Sequence, residues 1–268
     1  MLHPTATSGL IFSSFHAATL KEKCVFLQDY LLVLVVSGAL KFETATEQLT
    51  VQQGQMMLVH KNQLAELTKM PHEGAYHSII VSLREEMLRR IALEEKIEVR
   101  QPYKGPANVL IPENKFLSSF FQSLLPYAQA PEHKITGAVT LLKIKEAVYL
   151  LLDAVPALKE LLFDFSAPHK IDLEKFMVTN YHYNIPIEKF ARLTGRSLAG
   201  FKRDFQKIFD MAPRQWLLEK RLSEARFLME KKGKRPSDFY LDIGFESLSH
   251  FSHSFKKKYG HAPTELAG

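Results

Sequence analysis

Residues 187–205 read Ile187-Glu-Lys-Phe-Ala-Arg-Leu-Thr-Gly-Arg-Ser-Leu-Ala-Gly-Phe-Lys-Arg-Asp-Phe205, and this stretch decides the fold of the C-terminal part of the chain. A tight helix-turn-helix needs a small residue where its helices cross, and Ala191 stands there. It needs a turn residue that tolerates positive φ, and Gly195 follows four positions later. Ser197 offers a side-chain oxygen to cap the next helix. Phe201 and Phe205, one helical turn apart, anchor that helix to a core. The pattern recurs over 237–258: Gly244-Phe245 makes the turn, Ser247 is the cap, and Phe251 and Phe255 repeat the anchor spacing. The second turn is one residue longer than the first.

Between the two units lies Pro213-Arg-Gln-Trp-Leu-Leu-Glu-Lys-Arg-Leu-Ser-Glu-Ala-Arg-Phe-Leu-Met229. Pro213 suits a first helical turn. Trp216, Leu217, Leu222, Ala225 and Leu228 give an apolar face, so the stretch predicts one continuous helix of about four turns. Such a rigid connector suits two elements that enter successive major grooves on one DNA face, roughly 34 Å apart. Arg221, on this connector, reads as a structural residue with a carboxylate or backbone partner.

The charge distribution agrees with an anionic partner. Residues 170–268 hold nineteen Lys and Arg against twelve Asp and Glu, whereas 1–169 hold sixteen against seventeen. The whole net charge of +6 therefore resides in the C-terminal third, and a localised positive field favours nucleic acid, an acidic protein or a membrane surface. The chain has 268 residues, 46% of them hydrophobic, which fits a folded protein of two domains. There is no apolar run long enough for a membrane helix. The first 15 residues lack the basic and apolar regions of a secretory signal. The single cysteine, Cys24, allows no intrachain disulfide. From these features a cytoplasmic protein is expected.

Residues 10–82 read as β structure. Val25–Val36 is rich in branched residues, Ser37-Gly38 punctuates it, and Ala39–Glu43 resumes a strand. Gln53-Gly54-Gln55 is a further turn, followed by Met56–Val59 and an apolar strand over Ala75–Leu83. Short strands at this spacing predict a sandwich or barrel. From Arg84 the period becomes helical, with Met87, Leu88, Ile91 and Ala92 spaced along Arg84–Glu95. Gln101–Pro112, with three prolines and Gly105, predicts a loop. Pro112–Ala128 places Phe116, Leu117, Phe120, Phe121, Leu124 and Leu125 on one face. A long helix is expected over 136–154, with the stripe Leu141, Ile144, Val148, Leu151 and Val155, either buried in the domain or forming a dimer face. Residues 165–169 read as a linker. The expected fold class is α+β: residues 1–164 form a regulatory domain for effector binding or dimerisation, with a helical segment over 112–164, and 171–268 form an all-α DNA-binding domain.

The residues Ala191…Gly195…Ser197…Phe205, then Pro213-x-x-Trp216…Arg221-Leu222…Ala225…Leu228, then Gly244-Phe245-Glu246-Ser247…Phe251-Ser252…Phe255-Lys256…Tyr259-Gly260…Pro263 closely resemble the DNA-binding domain of the AraC/XylS family of bacterial transcription regulators. The resemblance covers about a third of the chain. It implies sequence-specific binding of double-stranded promoter DNA with the second helix of each unit in the major groove, with activation favoured over repression and RNA polymerase as a partner. Two departures stand out. The family has Ala four residues before the second glycine, where this chain has Tyr240, and its branched apolar residue ahead of that is replaced near Pro236. A shortened or displaced first helix is therefore expected in the second unit.

Carried over by motif position, the base-contacting residues of the first unit are Ala199, Lys202, Arg203 and Gln206. Lys202 and Arg203 suit guanine O6 and N7, and Ala199 suits a thymine methyl. In the second unit the corresponding face carries Ser249, His250, Ser252 and His253. Ser197, Lys207, Arg214, Ser247, Lys256 and Lys257 are expected at phosphates or as caps. Phe201, Phe205, Trp216, Phe251 and Phe255 read as core.

Leu31–Val59 resembles, over Val36-Ser-Gly38 and Gln53-Gly54-Gln55…Leu58-Val59, the cupin-type barrel found at the front of regulators of this family. That likeness implies a small-molecule effector, an antagonist protein or a homodimer as the controlling partner. A cupin metal enzyme fused to a DNA reader is the alternative from another class. Cupin metal sites use a His-x-His pair, whereas His60, His72 and His77 stand singly, so neither metal, cofactor nor catalytic residue is expected.

Overall fold

The computed structural model describes residues 6–7, 10–99, 101–129, 137–165 and 171–265. Of the linker read at 165–169 only Phe165 is described, and the outermost residues of both termini lie outside the described set. The chain divides into two compact units, residues 1–166 and 167–268.

The first unit contains two antiparallel sheets. Its strands are β1 (Ala6–Thr7), β2 (Ile11–His16), β3 (Leu20–Leu27), β4 (Tyr30–Ser37), β5 (Ala39–Glu43), β6 (Gln48–Gln52), β7 (Met56–Val59), β8 (Gln63–Met70), β9 (Tyr76–Leu83) and β10 (Val109–Ile111). One sheet runs β1-β2-β9-β4-β7-β10 and the other β3-β8-β5-β6. The two ladders stay separate among the described residues, so the expected barrel is an open sandwich rather than a closed cylinder. The run Val25–Val36 is likewise two strands. Gln28-Asp29 breaks it, sending β3 to the four-stranded sheet and β4 to the six-stranded one. β10 falls inside the segment read as a loop. It is a three-residue edge strand paired with β7 through Val109, Leu110 and Ile111, too short to show an alternating pattern among its prolines.

The apolar run of β4 follows from burial on both faces. Val33 and Val35 point between the sheets, where they meet Leu40, Phe42, Val51, Met57 and Tyr76. Leu32 lies on the opposite face with Leu58, Ile79 and Val81, under a layer of helices. These are α1 (Glu85–Glu94), α2 (Lys115–Gln129), α3 (Gly137–Ala154) and α4 (Leu158–Leu162). Leu88, Ile91, Leu117, Phe120, Phe121, Leu124, Ile144, Val148 and Leu151 supply the helical side of this core. Each such side chain contributes about 1.5–3 kcal/mol by leaving water. Phe116, expected in this stripe, is 68% exposed, because α2 turns its Leu117-Phe120-Phe121-Leu124 face inward. Tyr30 ties the layers together by donating to the Leu161 carbonyl at 2.8 Å.

The second unit is helical among its described residues: α5 (Leu173–Asn180), α6 (Ile187–Leu193), α7 (Leu198–Phe209), α8 (Pro213–Lys232), α9 (Pro236–Phe239) and α10 (Leu248–Tyr259), closed by a 3-10 turn over Pro263–Glu265. The connector α8 has 20 residues, or about five and a half turns and a length of about 30 Å. It is longer than its apolar stripe suggested because the helix ends only at Gly233, in the left-handed conformation. α9 has four residues, the shortening that Pro236 and Tyr240 announced.

Candidate nucleic-acid interface

Each helix-turn-helix is assembled by the residues that the spacing singled out. In the first, Ala191 is buried at the crossing and Gly195 adopts φ 67°. The Ser197 hydroxyl accepts from the Gly200 amide at 3.1 Å, starting α7. Phe201 and Phe205 are fully buried, and Phe205 and Phe209 pack against the Trp216 ring with centroids 5.7 and 4.6 Å away. In the second, the Ser247 hydroxyl accepts from the His250 amide at 3.2 Å, starting α10. Phe251 and Phe255 are fully buried in a cluster with Leu222, Ala225 and Met229 of α8.

Since Ser197 and Ser247 are both caps, the two second helices share a register with an offset of fifty residues. Phe201 matches Phe251, and Phe205 matches Phe255. Ala199 then matches Ser249, Lys202 matches Ser252, Arg203 matches His253, Gln206 matches Lys256, and Lys207 matches Lys257. At 100° per residue, the positions opposite the phenylalanine pair are those of Ala199, Arg203 and Lys207, and of their three counterparts. Gln206 and Gly200 flank that ridge on either side, with Lys202 further round, and Lys256, His250 and Ser252 do the same on α10.

All of the expected contact residues lie at the surface. Ala199, Lys202, Arg203, Gln206, Ser249, His250, His253, Ser197, Lys207, Arg214, Ser247, Lys256 and Lys257 are exposed, and Ser252 is half-buried. Arg203 approaches Asp204 at only 3.8 Å. The Asp204 carboxylate instead accepts from Arg196 at 3.1 Å, which leaves the Arg203 side chain 68% exposed. Lys258 behaves differently from its neighbours. Its ammonium donates to the Glu219 carbonyl at 3.2 Å, tying α10 to the connector.

Two clefts join these surfaces. One, of about 400 Å³, is lined by Ile187, Glu188, Lys202, Gln206, Pro213 and Arg214. The other, of about 430 Å³, includes Ile187, Arg214, Leu218, Phe245, Glu246 and His250. Arg214 and Ile187 line both, so the Lys202 flank of α7 and the His250 flank of α10 border one furrow with Arg214 between them. Leu218, 37% exposed, lines the second cleft without being marked by the motif, and Leu248 is 39% exposed. The signal for Leu218 was an apolar residue off the buried face of α8. Leu248 opens α10 beside its cap, Ser247. Arg221 is structural, as read from the sequence, with three backbone carbonyls as partners.

In the N-terminal unit, residues 1–166, the three lone histidines each have a local environment. His60 donates through Nδ1 to the Lys61 carbonyl at 2.6 Å, and burial holds its pKa below the ordinary imidazole value. His77 Nε2 meets the Ser13 hydroxyl at 3.0 Å, and His72 sits 3.8 Å from Glu73 at the surface.

Comparison with known proteins places the chain. Residues 190–268 match the family described as a helix-turn-helix domain, and residues 30–162 match the ExsA N-terminal regulatory domain. Over 247 residues the chain is 26% identical to the virulence regulon transcriptional activator VirF of Yersinia enterocolitica, covering 89% of this chain and 88% of that one. It is 28% identical over 134 residues to the HTH-type transcriptional regulator ExsA of Pseudomonas aeruginosa, covering 49% and 48%. A crystal structure of apo ToxT from Vibrio cholerae aligns with a TM-score of 0.47 at 16% identity, over 99% of this chain and 98% of that one. From the two paired, capped helix-turn-helix motifs and the two family matches, the chain belongs to the AraC/XylS family of bacterial DNA-binding transcription regulators.

Proposed function

We propose that this protein activates transcription by reading promoter DNA with α7 and α10 in successive major grooves. The observation that carries the reading is the shared register of two capped, Phe-anchored helices on one basic unit. Ala199, Lys202, Arg203 and Gln206 read bases in the first half-site, and Ser249, His250, Ser252 and His253 in the second. Ser197, Lys207, Arg214, Ser247, Lys256 and Lys257 hold phosphates. Activation follows the relatives named as activators and makes RNA polymerase a partner. The protein acts in the cytoplasm, and among the described residues no helix is long and apolar enough to cross a membrane. Residues 1–164 form the regulatory domain and 171–268 the DNA-binding domain, and we assign the chain no catalytic step. Capture and sequencing of random genomic DNA fragments on the full-length protein tests this. One enriched motif with two half-sites about a helical turn apart is expected, and enrichment without a shared motif would refute sequence reading.

For the first unit, a partner protein or a homodimer competes with a small-molecule effector. Leu40, Phe42, Val51, Met57 and Tyr76 fill the space between the sheets, which favours control by a protein over a ligand lodged there. A thermal shift of the unit by a metabolite would argue the other way, and stoichiometric metal in the purified protein would favour the enzyme alternative.

A further inference from the structure

The second helix-turn-helix closes on its own apolar cluster, in which Phe239, Ile243, Phe251 and Phe255 meet Leu222 and Met229 of α8. Among the described residues, none of Phe190, Phe201 and Phe205 belongs to that cluster. The two helix-turn-helix motifs are thus not joined through this cluster around both second helices. Their mutual orientation rests on α8 and on whatever fastens the turn of the second, which is preceded by a helix of only four residues.

Arg221 is that fastening. Its Nε donates to the Tyr181 carbonyl, its Nη2 to the Tyr183 carbonyl and its Nη1 to the Gly244 carbonyl, all at 2.9 Å. Tyr181 and Tyr183 lie on the segment that leads from α5 into the first helix-turn-helix, and Gly244 is the turn of the second. Asn184 adds a bridge beside it, donating to Glu246 at 2.8 Å. The turn is closed tightly on this clasp. A Cβ at Gly244 would lie 2.6 Å from the His182 carbonyl oxygen and 2.7 Å from the guanidinium carbon, and φ there is +94°. Both the space and the backbone demand glycine. A planar guanidinium fixes three carbonyls in one geometry, which the single ammonium of lysine cannot reproduce.

We infer that Arg221 is a positioning residue that sets the spacing between the two DNA half-sites, by clasping the turn of the second helix-turn-helix to the segment entering the first helix-turn-helix. The inference rests on the proposed reading by both α7 and α10. Each base pair inserted between half-sites rotates the second by about 35° and shifts it by about 3.4 Å. Wild-type protein held by a rigid clasp therefore discriminates sharply between spacings.

The test uses the full-length protein and duplexes carrying its selected motif, with none, one or two base pairs inserted between half-sites, and a duplex with the first half-site alone. Wild type is expected to lose roughly a hundredfold on insertion of two base pairs, falling to its affinity for the single half-site. Arg221→Gln is expected to bind the single half-site as wild type does, while its affinities for the three spacings fall within about threefold of one another. Wild-type steepness in the variant overturns the inference. So does loss of the single half-site, since Arg221 would then merely hold the fold. Should circular dichroism show Arg221→Gln unfolded, the exposed Asn184→Ala serves with the same readout. A partial flattening supports the clasp, and unchanged steepness overturns it. A wild type that selects no sequence fails the proposed function, whereas one that selects a motif yet ignores spacing fails this inference alone.

Discussion

Salt should dissociate this protein from DNA with a slope that can be worked from the surface of its second unit. Lys207, Arg214, Lys256 and Lys257 are the exposed cations assigned to phosphates. Four neutralised phosphates give a slope of about −3.6 for log affinity against log salt. Raising salt from about 50 to about 200 mM then weakens binding roughly 150-fold. Replacing Lys257 by Ala removes one contact, so the slope should become shallower by about 0.9 and binding to specific and random duplexes should weaken alike. If instead Lys257 only complements the C-terminal dipole of α10, the substitution would cost a few tenths of a kcal/mol of stability and leave the slope alone. Fluorescence anisotropy of a labelled duplex, titrated at four salt concentrations, measures both quantities. A wild-type slope shallower than about −2, or an unchanged slope in Lys257→Ala, would refute the phosphate assignment.

Other expectations follow from single side chains. Arg203→Ala should relax base preference at one position of the first half-site by about 1–3 kcal/mol, seen as a broadened motif in selection from random duplexes. An unchanged motif and affinity would remove Arg203 from the reading face. Ser197→Ala deletes the acceptor for the Gly200 amide and should lower stability by about 1 kcal/mol in a denaturant melt. His60 gives a pH dependence: burial lowers its folded-state pKa, so as pH falls the unfolded chain takes up the proton first. Stability is then complete above about pH 6.5 and declines as pH falls toward the folded-state value. Thermal melts of wild type and His60→Gln between pH 7.5 and about pH 5 should diverge at the acid end, and parallel curves would exclude this contribution.

Much of the second unit could be read from spacing alone, because its signals are local. A cap, a positive-φ glycine and a Phe pair one turn apart lie within a dozen residues of each other, and tertiary context had little to override. The connector runs past its apolar stripe, which stops near Met229, because Gly233 decides where the helix stops. The first unit depends on long-range pairing. Gln28-Asp29 is a weak turn signal inside an apolar run, so the change of sheet between β3 and β4 shows only in the ladders. β10 owes its existence to β7 rather than to its own pattern. Phe116 is apolar yet exposed, a choice made by the rotation of α2 rather than by composition. At the candidate interface, the cationic ridge of α7 is visible in the sequence. The furrow shared through Arg214 and the three carbonyls held by Arg221 are not, since each gathers residues from segments far apart in the chain.

The central claim is that α7 and α10 read DNA together. Lys207 and Lys257 occupy matched outward positions, and Cys24 is the single native cysteine. In a Cys24→Ser background, Lys207→Cys and Lys257→Cys each accept a thiol-linked DNA-cleaving reagent, and the cut sites on the selected duplex map where each helix lies. The account predicts two clusters of cuts on one face of the duplex, about 10 base pairs apart, one for each substitution. Cuts from position 207 alone, with none from position 257, would contradict it.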